Sequence, residues 1–410
     1  MFARRTKWKL ASNRLSTAWE KLRRSGREVL ELTESNPTRC GLKYNSEAIL
    51  KALADPAALT YQPIPKGLLS ARQAVAQYYI ERDDGAEVDP ENIILTTSTS
   101  EAYSFIFRQL CDAGDEVLAP VPSYPLFEFL ADLQDVKLVP YSLIYDHGWQ
   151  IDLHSVEKAV TARTRAIVVV HPNNPTGSYV KREEAARLVE LCAKHELAVI
   201  ADEVFLDYSH DSVRKRGGPE DRQFSFAGNG LRESGFSASR SFGNNAALTF
   251  ALSGLSKISA LPQMKFAWMV VSGPTDLVGD AMARLEIIAD TYLSMNTPVQ
   301  LAAPVLLEQR HDIRRQLLER IAVNLAELDR QIAGHPMCSR LEVEGGWYAV
   351  LRVPATQSGE EFTVRLVERD GVLVHPGDFY DFPAEGYLVI SLITPVEVFR
   401  EGLGRVLAAG

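Results

Sequence analysis

Cysteine is scarce in this chain: Cys40, Cys111, Cys192 and Cys338 are the four it has, and they lie far apart. That spacing carries no metal motif and no disulfide framework; it favours a reducing compartment with free thiols, hence a cytoplasmic protein. Long apolar runs are missing too. No stretch approaches the roughly 18 apolar residues that cross a bilayer, so no membrane role is expected. Positive charge is in deficit, and a formal net charge of −9 argues against nucleic acid or an anionic membrane as partner. Internal repeats and low-complexity tracts are absent as well. What remains, 46% hydrophobic and 24% charged, is ordinary for a globular protein, and 410 residues exceed the usual size of one core. Two domains are expected.

The N-terminus is basic: Arg4, Arg5, Lys7, Lys9 and Arg14 precede the first acidic residue, Glu20. Trp8, Leu15, Trp19 and Leu22 fall near helical spacing, which predicts an amphipathic helix ending near Gly26 that docks on the body or on a partner subunit. A targeting helix is the weaker reading, since Ser enrichment is lacking. Residues 33–38 read as a loop and 46–54 as a helix. A Pro/Gly-punctuated loop over 59–67 carries Tyr61, and helical spacing over 70–82 ends near Gly85.

From residue 93 strands and helices alternate. Apolar runs at 93–95, 116–119, 137–140, 166–170 and 197–201 read as strands; 101–111, 123–132, 153–160 and 182–195 read as helices. Short connections between near-continuous apolar strands predict a mainly parallel sheet covered on both faces, with ligands bound beyond the carboxyl ends of the strands. The polar clusters Ser98-Thr99-Ser100, Asn173-Asn174-Pro175-Thr176-Gly177, Asp202-Glu203 and Ser256-Lys257 each follow such a strand. Residues 209–245 form a long polar segment of the kind used as a lid, partner contact or surface insertion. Helices over 277–293 and 299–333 lead into an α+β tail: strand 341–350, helix 360–369, strands 371–374 and 387–391, helix 396–407. The division is an N-terminal helix and arm (1–45), a large domain (46–295), then a connecting helix and small domain (296–410).

Ser253-Gly254-Leu255-Ser256-Lys257 ends an apolar strand in small residues and then presents one lysine. Small residues let a phosphate approach backbone N–H groups, and the amine can condense with a carbonyl cofactor, the chemistry expected of a pyridoxal phosphate lysine. Together with His171-Pro172-Asn173-Asn174-Pro175-Thr176-Gly177, Ala201-Asp202-Glu203-Val204, Gly345-Gly346-Trp347-Tyr348 and residues 371–380, it resembles the class I (class I/II) pyridoxal-phosphate-dependent aminotransferases of fold type I, over roughly residues 30–408. The resemblance implies an α/β large domain, a smaller α+β domain and the cofactor pyridoxal 5′-phosphate, with no metal. It implies that Lys257 holds the cofactor as a Schiff base and moves the proton, and that Asp202 keeps the pyridine nitrogen protonated. It further implies that Asn174 donates to the phenolic oxygen across an Asn-Pro bond expected to be cis. Tyr124 stacks on the ring, while Ser98, Thr99, Ser100, Ser256 and Lys265 bind the phosphate. Tyr61 reaches the neighbouring subunit's cofactor phosphate, so a homodimer is expected.

Four positions depart from the family's pattern. Lys265 stands for an arginine, which keeps the charge and loses the bidentate fork. Gly254 stands for a phosphate-binding serine, with Ser253 or backbone in compensation. Phe205 stands for a tyrosine, so the bound cofactor is expected to titrate higher than in relatives. Val389 stands for the arginine that clamps the substrate's α-carboxylate, and Arg39, Arg352 and Asn36 are the substrate-binding candidates in its place. The reaction expected is amino-group exchange between an L-amino acid and a 2-oxo acid. The alternatives are another reaction on the same scaffold, such as a carbon–sulfur β-lyase, and, much less favoured, a non-catalytic ligand-sensing domain.

Overall fold

The computed structural model describes residues 1–82, 86–210, 224–227, 246–293 and 295–410. Most of the polar segment expected over 209–245, and Gly85, lie outside the described residues.

The chain enters through helix α1 (Arg14–Arg24), started by Asn13, whose side chain accepts from the Ser16 N–H at 2.7 Å. Its apolar side, with Leu15, Ala18, Trp19 and Leu22, packs on Val364 and Val367 of the tail, so the helix docks on the body as its spacing predicts. Trp8 is outside the helix. Its ring meets Phe129 edge-on at 5.6 Å and its indole N–H donates to Asp132 at 2.9 Å, tying the leading segment to the large domain. Strand β1 (Leu30–Glu31) follows, then α2 (Ser46–Leu53) and α3 (Leu69–Ile80).

The regular part begins with β2 (Ile93–Thr96), α4 (Thr99–Leu110), β3 (Glu116–Val121) and α5 (Phe127–Asp132). Helix α5 is shorter than the 123–132 expected, because Pro122 and Pro125 disfavour helical backbone at the residues before them. Then come β4 (Lys137–Tyr145), β5 (Trp149–Ile151), α6 (Leu153–Ala159), β6 (Thr164–Val170), α7 (Arg182–Lys194) and β7 (Ala198–Asp202). Strand β8 (Thr249–Gly254) leads into the single turn α8 (Leu255–Ile258), and β9 (Ala267–Ser272) into α9 (Thr275–Tyr292). The eight strands form one sheet in the order β2-β9-β8-β7-β6-β3-β4-β5. Strands β8, β7, β6, β3 and β4 are parallel neighbours; β9 and β5 run antiparallel to theirs. The sheet is thus mainly parallel, with helices over it.

The helix expected over 299–333 is two helices, α10 (Thr297–Glu308) and α11 (Arg310–Ile332), meeting at Gln309. The break has a packing cause. Val299, Ala302, Ala303 and Leu306 of α10 join the large-domain core, whereas Ile313, Leu317, Ile321 and Leu328 of α11 join the core of the tail. Beyond them lie β10 (Ser339–Arg340), β11 (Tyr348–Arg352), α12 (Gly359–Arg365), β12 (Val372–Leu373), β13 (His375–Pro376), β14 (Tyr387–Ser391) and α13 (Val396–Ala409). The strand expected over 341–350 exists only at its end. Gly345 N–H donates to Gly177 O and Gly346 N–H to Tyr208 O, both at 2.9 Å, so this backbone pairs with large-domain loops instead of a sheet. Strand β1 pairs in parallel with β12, which fastens the N-terminal arm to the small domain.

Candidate active site

Strands β2, β3, β6, β7 and β8 all finish on one edge of the sheet, and the polar clusters lie there. Register places Val170, the last residue of β6, beside Asp202, the last of β7, and Asp202 beside Leu252 of β8. Two residues past Leu252, the chain turns into α8 and presents Lys257. Lys257 Nζ lies 4.8 Å from the ring centroid of Trp347 and 5.3 Å from that of Phe205. Burial lowers its pKa from 10.5 to about 8, against the pull of the Asp202 carboxylate. The main chain at this turn is held by two tyrosines: Tyr208 donates to the Lys257 carbonyl at 2.6 Å and Tyr44 to the Ala260 carbonyl at 2.9 Å.

Asp202 is buried, and burial raises its pKa to about 6; the Val204 N–H, the Tyr103 hydroxyl and the Lys257 charge oppose that rise. One carboxylate oxygen accepts from the Val204 N–H at 3.2 Å, the other from the Tyr103 hydroxyl at 3.1 Å. The Asn174–Pro175 bond is cis, as the sequence led us to expect. In the turn before it, Asn173 donates to the Pro122 carbonyl at 3.1 Å and to Thr176 Oγ1 at 2.9 Å, and its own carbonyl accepts from the Gly177 N–H. Asn173 therefore builds the turn. Asn174 Oδ1, by contrast, is buried with no hydrogen-bond partner among the described residues. Tyr124 lies close enough to Asp202 that the carboxylate adds to the rise in its pKa, which burial mainly causes.

At the start of α4, Ser98 Oγ accepts from the Glu101 N–H at 3.1 Å, and Glu101 accepts from the Thr97 N–H at 2.7 Å. The Ser98 hydroxyl thus caps the helix, and the N–H groups of Thr99 and Ser100 have no acceptor within it. An anion suits such a terminus. Lys265 is exposed, with left-handed backbone (φ 52°), and the Phe266 carbonyl next to it accepts from the Leu255 N–H at 3.0 Å, which ties the Lys265 turn to the start of α8. Gly254 has a packing reason: a Cβ there would stand 2.8 Å from Ala267 Cβ and 3.0 Å from the Phe266 carbonyl. Ser253 Oγ is buried and, among the described residues, without a partner.

Not every expected residue joins this group. Tyr61 is 72% exposed on its loop. Asn36 Oδ1 is engaged locally, accepting from Thr38 N–H at 3.1 Å and Thr38 Oγ1 at 2.7 Å, and Arg39 is exposed at the end of the same short turn. Arg352 is exposed at the far end of β11, about 13 Å of strand beyond Tyr348. Geometry does not bring it to Lys257. Val389 is buried in the middle of β14, opposite Val350 and His375.

Three residues around the lysine and the carboxylate were not singled out by sequence reasoning. Tyr103 had only a weak signal, its place one turn after Thr99 on the same face of α4. Trp347 had only its place in the Gly345-Gly346-Trp347-Tyr348 motif and Tyr208 none, since where they end up depends on long-range packing. Among the described residues no cluster of metal-ligating side chains occurs, and no helix is long and apolar enough to cross a membrane. An amine of lowered pKa, a buried carboxylate, an unpartnered buried amide and a helix N-terminus form a donor set that fits a phosphorylated pyridine aldehyde.

Comparison with known proteins agrees with that fit. A family model described as aminotransferase class I and II matches residues 27–403. The alanine aminotransferase of Mycobacterium tuberculosis (strain H37Rv) is 27% identical over 381 residues, 90% of this chain and 82% of that protein. The glutamate-pyruvate aminotransferase AlaA of Escherichia coli K12 is 30% identical over 289 residues, 70% of this chain and 65% of that one. Among solved structures, the alanine aminotransferase of Pyrococcus furiosus shares the fold with a TM-score of 0.84 at 22% identity, covering 100% of this chain and 99% of its own.

Proposed function

Since the chain belongs to the class I and II aminotransferases, as a pyridoxal-phosphate-dependent transaminase that moves an amino group between an amino acid and a 2-oxo acid, we propose that Lys257 and Asp202 are its catalytic pair. The observation that carries the assignment is the position of Lys257 Nζ at the sheet edge, beside the adjoining rings of Trp347 and Phe205 and within the field of Asp202.

Pyridoxal phosphate supplies the carbonyl that takes up the amino group and the ring that absorbs the electron pair of the substrate's α-carbon. The residues do the rest. Lys257 would anchor the cofactor through Nζ and, once its amine is free, with burial lowering its pKa to about 8, could take and return a proton near neutral pH. Asp202 would hold the proton of the ring nitrogen; a unit-charge pair at about 4 Å is worth roughly 4 kcal/mol at an effective dielectric of 20. Asn174 would serve the phenolic oxygen and Tyr124 would cover the ring. The N–H groups of Thr99 and Ser100, with Ser98 as helix cap, Ser256 and Lys265 would hold the phosphate. Asn36 and Arg39 remain the candidates for the substrate carboxylate.

The names of the relatives point to alanine or glutamate as donor and pyruvate as acceptor. The exposed Tyr61 supports a homodimer in which it reaches the other copy's cofactor phosphate. Four free cysteines support a cytoplasmic placement. Mixing the holoenzyme with L-alanine or L-glutamate alone tests the reading. One equivalent of 2-oxo acid should form, the cofactor should end in its amine form, and a different 2-oxo acid (pyruvate after L-glutamate, 2-oxoglutarate after L-alanine) should restart turnover. Continuous release of ammonia from a single amino acid would overturn it in favour of a lyase.

A further inference from the structure

Tyr103 makes one polar contact that the chemistry above leaves unused. It sits in α4, four residues after Thr99 and three after Ser100, so it shares their face of the helix. Its ring is buried, tilted against Phe107 and edge-on to Phe127, with centroids 5.9 and 5.3 Å away. Its hydroxyl donates to Asp202 Oδ2 at 3.1 Å, across 99 residues of sequence. The other oxygen, Oδ1, is held by the Val204 N–H. Asp202 is therefore oriented at both oxygens, once by its own loop and once by the helix whose first turn would hold the phosphate.

We propose that Tyr103 is a positioning residue: its hydroxyl fixes the Asp202 carboxylate toward the cofactor's ring nitrogen and keeps it charged, so that α4 binds the phosphate at its start and governs the ring's proton one turn later. The inference rests on the cofactor reading above. Three titratable groups act with Asp202 here: Tyr103 from α4, Lys257 from α8 and Tyr124 from the β3–α5 loop. Lys257 and Tyr124 are already assigned to the cofactor. Tyr103 alone is behind the carboxylate, in the layer of Ala102, Phe105 and Ile106 that forms one core face of the sheet. A hydroxyl in that layer has no packing purpose that phenylalanine would not serve, whereas a donor there opposes the tendency of a buried carboxylate to take up a proton.

Tyr103→Phe keeps the ring and removes the donor. In the holoenzyme the ring nitrogen should lose part of its proton, which makes the linkage at Lys257 more basic. Three results are expected: a midpoint of the bound cofactor's absorbance titration higher by about half a unit or more, pyridoxal phosphate affinity about tenfold weaker by equilibrium titration, and a lower kcat with KM little changed. Tyr141→Phe is the control. It also removes a buried tyrosine hydroxyl, but one that donates to the Val168 carbonyl at 2.8 Å, and its titration midpoint should stay at the wild-type value. In an Asp202→Asn background, Tyr103→Phe should add no further shift. An unmoved midpoint and affinity, a shift equal to that of Tyr141→Phe, a shift undiminished with Asp202→Asn, or a variant that fails to fold would each leave Tyr103 a core tyrosine and overturn the proposal. Failure of the wild-type protein to bind pyridoxal phosphate would instead overturn the cofactor reading itself.

Discussion

Lys257 and Asp202 store the cost of their burial in opposite pH windows. Folded Lys257 releases its proton near pH 8, where the unfolded chain holds one up to 10.5. Between those values the unfolded state binds more protons, so stability rises with pH there. Asp202 does the reverse: folded, it holds a proton up to about 6, against 3.8 unfolded, so stability falls as pH rises through that interval. In cofactor-free protein, Lys257→Met should abolish the gain in Tm between about pH 8 and 10, and Asp202→Asn the loss between about pH 4 and 6. A Lys257→Met protein whose Tm still climbs like the wild type across the alkaline window would show that the amine is not buried. Both residues stood out in the sequence, because Asp202 ends an apolar strand and Lys257 follows one by three residues. Tyr103, which holds the carboxylate, was not: nothing local to a helix tells which side chain it meets 99 residues away.

At the scale of elements, strand ends and short turns set the chemistry. β8 and β9 approach so closely at Gly254 and Ala267 that no side chain fits at 254. The glycine read from the sequence as a departure in phosphate binding is thus required by strand packing. Gly254→Ser should destabilise the protein by about 1–3 kcal/mol in denaturant unfolding without improving cofactor affinity. Ala267→Gly in the same chain should recover part of the loss. Strands were the most legible elements, since burial on both faces makes them continuous apolar runs. Helix ends and the 341–347 stretch were less so. That stretch has a strand-like composition, yet its backbone pairs with Gly177 and Tyr208 of the other domain, which no local pattern encodes.

At the scale of the whole molecule, one junction is within the chain and a second, between copies, is proposed. Gly177, at φ +69°, lies against Gly345, whose carbonyl would stand 2.5 Å from any Cβ at position 177. That contact brings Trp347 over Lys257. The second junction is with another copy of the chain, proposed from the exposed Tyr61. Mixing Tyr61→Ala with Lys257→Ala protein tests it, since a hybrid dimer regains one site with both residues intact. Activity of the mixture above the sum of the separate variants is the expected result. No gain after subunit exchange would place Tyr61 outside the neighbouring site.

The sequence by itself determined the strand order in time, the lysine, the carboxylate and the asparagine turn, because strand-end motifs are local and their chemistry is written in adjacent residues. Five motifs in one order also pointed to the cofactor, through the family they resemble. Tertiary structure alone decided the rest: Trp347 and Phe205 flanking the amine, Tyr208 and Tyr44 holding its turn, Tyr103 behind Asp202, and Arg352 lying away from the site. Those contacts join residues tens to hundreds of positions apart, and only tertiary packing, within the large domain for Tyr103, Phe205 and Tyr208 and between domains for Trp347, selects them.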